Sequence, residues 1–290
     1  MRVLILNTDY PAFLDRHYGR NAHLCQASYA DQMTARNKSL FGSADFYSRG
    51  LAAHGNQAIE IHANNAYLQS AWGREYKLLP VNFLPPPPPT PVADYLRLVG
   101  RRLGLPLRKR HRIEPWMQDI LKAQIASFRP DVILNQDMYQ FTGDFLKNAG
   151  SNGMLIVGQI AAALPQHGNY SSYDLIVSSL PNLVAHFRAL GIKAERNDLA
   201  FDPSVLASLE APKVRSGAVF IGNFSKDHGR RIALIETLCL QTDKVEVWGG
   251  GLAALDRNSP IRARHKGEVY GVEMYRVLAS AEIAINIIST

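Results

Sequence analysis

The stretch Gly217-Ala-Val-Phe-Ile-Gly-Asn-Phe-Ser-Lys-Asp-His-Gly-Arg-Arg231 indicates the class of fold that this chain adopts. Ala218–Ile221 is short, apolar and bounded by glycines, which predicts a buried strand. Gly222 predicts a tight turn, and a polar, basic loop leads from it into the first turn of a helix. A strand, loop and helix in this order form the repeating unit of a doubly wound parallel sheet.

The basic loop in this stretch suggests that the unit can hold a diphosphate. A helix N-terminus offers unpaired N–H groups and the positive end of the helix dipole. The nearby basic side chains are Lys226, His228, Arg230 and Arg231. The stretch contains neither a Walker Gly-Lys-Ser/Thr sequence nor a GxGxxG pattern. An ordinary strand-to-helix connection with solvated basic residues therefore stays open as the alternative.

The composition is that of a globular protein of one large or two smaller α/β domains. The chain has 290 residues, of which 47% are hydrophobic and 20% charged. It contains no apolar run long enough for a membrane-spanning helix. Met1–Asn7 is too short for a signal peptide and predicts a first strand. Cys25 and Cys239 show no metal-binding spacing, so we expect a cytoplasmic protein without disulfides or structural zinc.

The net charge of +7 is concentrated in one segment, Arg101–Arg112. A basic segment that also carries leucines can meet an anionic membrane surface. No nucleic-acid-binding motif accompanies it, so we expect no nucleic-acid partner. Peripheral contact with the inner face of the membrane is one interpretation, and a solvated loop is the other.

Strand patterns alternate with helical patterns along the whole chain, which predicts parallel sheets. The predicted strands are Arg2–Asn7, Ala58–Ala63, Asp131–Asn135, Met154–Gln159, Asp174–Ser178, Ala218–Ile221, Val245–Trp248 and Ile283–Ile288. A proline-containing break near Pro203 and Pro212 separates two series. We therefore predict two Rossmann-like domains, residues 1–205 and 206–290, with a cleft between them. Pro85–Pro89 predicts a rigid polyproline insert.

Helix signals refine this outline at three places. Ser43 can cap a helix that runs through Ala44, with Asp45 in its first turn. Trp116 belongs to a helix before the third strand. The second series predicts one helix with Ile232, Ile235, Leu238 and Cys239 on one face, and a later one with Met274, Val277, Leu278 and Ala281 on one face.

An ordered set of short motifs resembles the spore-maturation-protein-like (family 1/4-type) branch of GT-B glycosyltransferases. The motifs include Phe41-Gly-Ser-Ala-Asp-Phe-Tyr-Ser48, Val157-Gly-Gln-Ile-Ala161, Ala200-Phe-Asp202, Phe220-Ile-Gly-Asn223 with His228 and Arg231, Val247-Trp-Gly249 and Gly267-Glu-Val-Tyr-Gly-Val-Glu-Met-Tyr275. This resemblance covers nearly the whole chain, although no single motif in it is decisive.

The resemblance implies a GT-B fold, with the acceptor mostly on the first domain and the nucleotide-sugar mostly on the second. It implies a hexosyltransferase of polysaccharide or glycoconjugate biosynthesis, with a glycan, a lipid-linked molecule or a protein as acceptor. Members of the family continue past the strand that matches Ala284–Ser289 into a helix start that bears a glutamate. This sequence stops before that helix, so we expect the second domain to be incomplete.

The donor site is expected on the second domain, with the nucleotide-sugar as co-substrate and no other cofactor. The candidate donor-binding residues are Gly222, Asn223, His228, Arg231, Trp248, Gly249, Val269, Tyr270 and Gly271. Gly222 would let the backbone approach a phosphate, and the family motif places an arginine at Arg231. For Tyr270 the resemblance implies contact with the base. Each also has a purely structural interpretation, such as a turn glycine, a surface arginine or a packing aromatic.

The departing diphosphate must be stabilised as negative charge grows on it. No Asp-x-Asp sequence occurs in the chain, so we expect basic residues rather than a metal to do this. An inverting transfer also needs a base near the acceptor hydroxyl, for which Asp9, Asp45 and Asp137 are the candidate catalytic residues. A retaining transfer needs no such base, and the sequence leaves the stereochemistry open.

Two further functional classes stay open at this stage. The chain could be a catalytically inactive module that still binds a nucleotide-sugar. It could also be a nucleotide-sugar epimerase, because a fold does not determine a function.

Overall fold

The computed structural model describes residues 1–85, 113–164, 168–212, 214–225 and 228–287. The chain divides into two compact units. Unit 1 comprises Met1–Lys38 and Ser43–Ala200, and unit 2 comprises Ser39–Gly42 and Phe201–Thr290. The sequence placed the division after residue 205, and no pattern in it indicated that Ser39–Gly42 belongs with unit 2.

Unit 1 contains a sheet of six parallel strands in the order β2-β1-β3-β4-β5-β6. The strands are β1 (Arg2–Asn7), β2 (Gln57–His62), β3 (Val132–Asn135), β4 (Leu155–Gln159), β5 (Leu175–Ser178) and β6 (Ala194–Arg196). The first five match the predicted strands to within one residue at each end. The edge strand β6 was not predicted, because only one of its three residues is apolar.

Seven α-helices are described in unit 1. They are α1 (Pro11–Arg20), α2 (Tyr29–Lys38), α3 (Phe46–Ala53), α4 (Ala66–Glu75), α5 (Pro115–Phe128), α6 (Gly143–Ala149) and α7 (Pro181–Ala189), with a 3₁₀ turn at Ala22–Gln26. The strand order reverses between β1 and β3, so right-handed crossovers place helices on both faces of the sheet. Leu4, Ile133 and Ile156 of the sheet pack with Leu121 and Phe187 of these helices in one core.

The predicted start of α3 is wrong. Ala44 has a φ of 43° and therefore cannot continue a right-handed helix. Ser43 does not cap the helix; its carbonyl oxygen accepts a hydrogen bond from Phe46 N at 2.8 Å. Asp45 precedes the first helical residue, Phe46, instead of lying in the first turn, and its side chain makes no capping hydrogen bond.

The described part of unit 2 has three parallel strands in the order β8-β7-β9. The strands are β7 (Ala218–Ile221), β8 (Val245–Trp248) and β9 (Ile283–Ile285), and the helices are α8 (Ser204–Ala207), α9 (Gly229–Gln241), α10 (Ile261–Arg264) and α11 (Val272–Ser280), with a 3₁₀ turn at Leu252–Ala254. β9 is shorter than predicted and ends at Ile285. The predicted face of α9 is confirmed by its buried residues, Ile235 and Cys239.

The apolar face predicted for α11 is only partly correct. The helix ends at Ser280, so Ala281 lies outside it. Met274, Val277 and Leu278 are half-buried, and no residue of the helix is fully buried. The core of unit 2 instead gathers Phe220, Ile235, Val247 and Ile261.

Both units are α/β, and each has a parallel sheet whose strand order reverses. This confirms the predicted class of two Rossmann-like, doubly wound units. Among the described helices, none has the length and apolar character needed to cross a membrane.

Candidate functional site

The loop after β7 is held against the loop after β8 by three hydrogen bonds. Gly222 N donates to Trp248 O at 2.9 Å, and Phe224 N donates to Gly250 O at 3.0 Å. The side-chain oxygen of Asn223 accepts a hydrogen bond from Gly250 N at 2.8 Å. These bonds bring four predicted donor residues together at the carboxyl edge of the sheet: Gly222, Asn223, Trp248 and Gly249.

Gly249 and Gly251 are both positions where these two loops approach closely. The first of them, Gly249, lies beside Gly222. Its φ is 128°, and a Cβ atom there would collide with the carbonyl of Gly222. Its carbonyl oxygen lies 2.7 Å from Nε2 of His265, which the sequence analysis did not select. The run of three glycines at 249–251 was the available signal, because such runs mark close approach of two backbones.

Arg231 folds back over the carboxyl end of β7. Its Nη1 donates to Asn223 O at 3.2 Å, and its Nη2 donates to Ile287 O at 3.2 Å. Nδ1 of His228 lies 3.1 Å from the same carbonyl of Asn223 and 3.3 Å from Arg231 Nη1. Arg231 and His228 therefore lie side by side at the start of α9, where the sequence placed them.

Within the described ranges, the guanidinium of Arg231 is bound by two carbonyl oxygens and forms no ion pair with an acidic side chain. Neutral carbonyl oxygens leave the positive charge of a guanidinium in place. The N-terminus of α9 adds the positive end of a helix dipole beside it. Lys226, the other basic candidate in this loop, lies outside the described residues.

Val269, Tyr270 and Gly271 follow Gly267, whose carbonyl oxygen accepts a hydrogen bond from Gly249 N at 2.9 Å. Val269 is buried, and the hydroxyl of Tyr270 donates to Glu268 Oε2 at 2.5 Å. The ring of Tyr270 packs edge-on against Phe41, with 5.6 Å between the centroids. Gly271 has a φ of 57°, and a Cβ atom there would collide with the carbonyl of Ser39.

Glu268 connects this segment to the loop after β7. A Cβ atom on Gly250 would lie 2.6 Å from Glu268 Oε1 and 3.1 Å from Asn223 Oδ1. The carboxylate therefore lies directly over Gly250, beside Asn223. Sequence reasoning passed over Glu268, although it occurs within the quoted motif 267–275. The candidate site thus has a positive charge at Arg231 and hydrogen-bond-accepting oxygens at Glu268.

Asp9, a candidate base at the end of β1, is 2% exposed. Its Oδ1 lies 2.7 Å from Arg36 Nη2 and 3.4 Å from His62 Nδ1. Its backbone exchanges two hydrogen bonds with the side chain of Asn64. Burial alone would raise the pKa of Asp9, but His62 and Arg36 outweigh it and hold that pKa below the ordinary value. Burial lowers the pKa of His62.

Asp137, at the end of β3, is half-buried and lies next to this group. Its Oδ2 accepts a hydrogen bond from Thr8 Oγ1 at 2.6 Å, and its Oδ1 accepts two backbone hydrogen bonds at 3.1 Å. Asp9 and Asp137 thus lie at the point in unit 1 where the strand order reverses, which is where open α/β sheets bind ligands. Asp45 lies apart from them, before α3, and pairs with Arg49 at 3.5 Å.

Glu60 is a buried acid that the sequence analysis did not select. It lies on β2, and its Oε1 accepts a hydrogen bond from Ser48 N at 3.2 Å. Its Oε2 lies 4.0 Å from His62 Nε2. Burial raises the pKa of Glu60 to about 7.

The remaining features considered are a metal site, the basic segment and the polyproline insert. Within the described ranges, no group of three or more His, Cys, Asp or Glu side chains is arranged to hold a metal ion. The basic segment Arg101–Arg112 lies outside the described residues, as does Pro86–Pro89 of the polyproline insert.

Comparisons with known proteins add little to what the structure shows about the fold. No family model matches the chain, and no curated protein matches it. Among solved structures it is similar to UDP-N-acetylglucosamine 2-epimerase from Rickettsia bellii, with a TM-score of 0.43 and 9% identity over 98% of this chain and 73% of the other. It is also similar to a glycosylation-associated protein complex from Streptococcus agalactiae, with a TM-score of 0.30 and 10% identity over 60% of this chain and 42% of the other. Because both TM-scores are below 0.5, these similarities say nothing about a shared activity.

Proposed function

We propose that this protein binds a nucleotide-sugar through the loop between β7 and α9 and transfers the sugar to an acceptor, as a glycosyltransferase that needs no metal ion. The observation that supports this most strongly is the position of Arg231. Its guanidinium lies between Asn223 O and Ile287 O, at the end of the strand where the order in the sheet of unit 2 reverses.

The two sides of the site suit the two polar parts of a nucleotide-sugar. Arg231, His228 and the helix N-terminus can donate hydrogen bonds to the diphosphate. Glu268 and Asn223 can accept hydrogen bonds from sugar hydroxyls. Tyr270, which is half-buried and lies beside Glu268, offers an aromatic face for the base.

In this proposal, Arg231 stabilises the departing diphosphate during sugar transfer. As the bond to the sugar breaks, negative charge grows on the departing diphosphate, and donors fixed in place before the reaction stabilise that charge. Arg231 is fixed by two backbone carbonyls, so little reorganisation is needed. In an inverting reaction the acceptor hydroxyl also needs a base. Asp137 is our candidate, because Asp9 is buried and engaged with Arg36.

The acceptor class is a further part of the proposal. The ordered motifs of the spore-maturation-protein-like branch, such as Phe220–Asn223 with His228 and Arg231, support a role in polysaccharide or glycoconjugate biosynthesis. The acceptor would then be a glycan, a lipid-linked molecule or a protein. The clustered charge of Arg101–Arg112 is suited to an acceptor or membrane surface that carries phosphate.

A product assay separates transfer from the alternatives. The chain is incubated with UDP-, GDP-, ADP- and dTDP-linked sugars, with and without glycan or lipid-phosphate acceptors, and the products are followed by NMR. A glycosyltransferase releases nucleoside diphosphate faster when an acceptor is present. Epimerised nucleotide-sugar without acceptor would show an epimerase. Binding with no product would show a nucleotide-sugar-binding module and contradict the transfer step.

A further inference from the structure

A pocket of ≈ 410 Å³ in unit 1 has no part in the proposed function. Its walls are mainly aromatic and aliphatic, with Trp72, Tyr76 and Phe128 among them. The rings of Trp72 and Tyr76 are stacked, with 4.0 Å between their centroids and 11° between their planes. Pockets of this size and lining are typical of sites for small organic molecules.

Gln124 of α5 lines this pocket and is an unusual residue for its position. It is only 4% exposed, and neither atom of its amide group has a hydrogen-bond partner within the described residues. A buried amide without partners destabilises a fold, whereas leucine has a similar volume and no such cost. The unpaired amide therefore points to an external group that completes its hydrogen bonds.

The charges around the pocket are balanced. Glu60 lines it as well, with its carboxyl group bound to Ser48 N at 3.2 Å and 4.0 Å from His62. Arg2 also lines it and lies over the ring of Phe128, at 4.8 Å from the centroid. Arg2 and Glu60 carry opposite charges that partly cancel, so the pocket has little attraction for an ion and favours an uncharged ligand.

The position of the pocket separates it from the strand ends of the sheet. Arg2 begins β1, and Phe128 ends α5, which runs antiparallel to the strands. This side of the pocket therefore lies at the amino edge of the sheet. Asp9 and Asp137 lie at the opposite, carboxyl edge.

We propose that this pocket binds a small, flat, uncharged nitrogen heteroaromatic compound of nucleobase size, with Gln124 recognising its edge. The amide of Gln124 presents a donor next to an acceptor, which is the pattern that matches the adjacent acceptor and donor of a nucleobase edge. Trp72 supplies an aromatic surface for the ring. The proposal is independent of the proposed transferase activity.

The side-chain amide signal of Gln124 in a ¹H–¹⁵N spectrum of the whole chain tests this directly. The signal is assigned by its loss in Gln124→Leu. Adenine, uracil and nicotinamide carry an edge with a donor and an acceptor, indole is flat but offers no acceptor, and glucose is polar but not aromatic. We expect at least one of the first three to shift the signal and to saturate, and to bind at least tenfold more tightly than indole or glucose.

Matched variants decide whether the amide recognises the ligand. Gln124→Leu is expected to weaken binding at least tenfold, whereas Gln118→Leu on the same helix and Arg231→Ala in unit 2 are expected to change it less than twofold. If none of the three compounds shifts the Gln124 signal, or if Gln124→Leu binds as tightly as the unchanged chain, the proposal is wrong.

Discussion

Nη2 of Arg231 donates a hydrogen bond to the carbonyl oxygen of Ile287 over 3.2 Å. The bond joins the start of α9 to the chain just beyond β9, across the point where the strand order of unit 2 reverses. Because reversal points are where open α/β sheets bind ligands, this contact places a fixed positive charge where an anion is expected.

The first prediction concerns Gly249, one of the glycines that let the loops after β7 and β8 come together. Gly249→Ala should lower the free energy of unfolding by about 1–3 kcal/mol, because its φ of 128° and the nearby Gly222 carbonyl both exclude a Cβ atom. Urea unfolding measures the loss. Gly229→Ala, in α9, has open space around its Cβ position and should be neutral or stabilising. Equal stability of Gly249→Ala and the unchanged chain would contradict the close approach of the two loops.

The second prediction is a pH dependence caused by Glu60. Its pKa is raised from 4.5 to about 7 by burial, so the folded chain holds this proton more tightly than the unfolded chain does. Its contribution to stability should therefore fall as pH rises from about 4.5 to about 7. Arg36, His62 and Asp45 face the same carboxyl group and are unchanged in Glu60→Gln.

Glu60→Gln should remove that slope, since glutamine does not titrate and can still accept the hydrogen bond of Ser48 N. Unfolding free energies of both proteins at several pH values between 4 and 8 give the comparison. Parallel curves for the two proteins would mean that Glu60 titrates normally in the folded state.

The third prediction separates the two acids at the ends of β1 and β3. Asp9→Asn takes the carboxylate away from buried Arg36 and should cost about 3–5 kcal/mol of stability. Asp137→Asn changes a half-buried acid whose partners are neutral, and it should cost less than about 1.5 kcal/mol. Thermal and urea unfolding measure both. A stable Asp9→Asn variant would show that the ion pair with Arg36 is unimportant for folding.

Much of unit 1 could be predicted because its strands follow simple rules. β1 and β3 to β5 are short apolar runs between turn residues, and their lengths were predicted to within one residue. The start of α3 could not be predicted, because the left-handed conformation of Ala44 depends on tertiary contacts and not on the helix preference of alanine. The place of Ser39–Gly42 in unit 2 also depends on tertiary contacts. The carbonyl oxygen of Ser39 accepts a hydrogen bond from Val272 N at 2.7 Å.

Some residues of the candidate site could likewise be predicted from the sequence, and others could not. Arg231 and His228 were selected because basic residues at the start of a helix that follows a strand suit an anion. Glu268 and His265 were not selected, because their neighbours in the structure depend on which backbone groups the fold brings beside them. Asp9 was selected for its place at a strand end, but sequence could not reveal that Arg36 and His62 surround it.

The fourth prediction concerns metal ions. The absence of an Asp-x-Asp sequence and the position of Arg231 lead us to expect that transfer activity persists in excess EDTA. The release of nucleoside diphosphate in the product assay provides the measurement. Activity that EDTA removes and that Mn²⁺ or Mg²⁺ restores would contradict the metal-independent mechanism.

Calorimetric titration of the chain and of two arginine variants with nucleoside diphosphates tests the central claim most directly. Arg231→Ala should weaken binding by about 1.5–3 kcal/mol, the value of a hydrogen bond to a charged group. Arg230→Ala removes an exposed arginine from the preceding position and should change the affinity by less than about 0.5 kcal/mol. Equal affinities for Arg231→Ala and the unchanged chain would contradict the assignment of the loop between β7 and α9 as the diphosphate site.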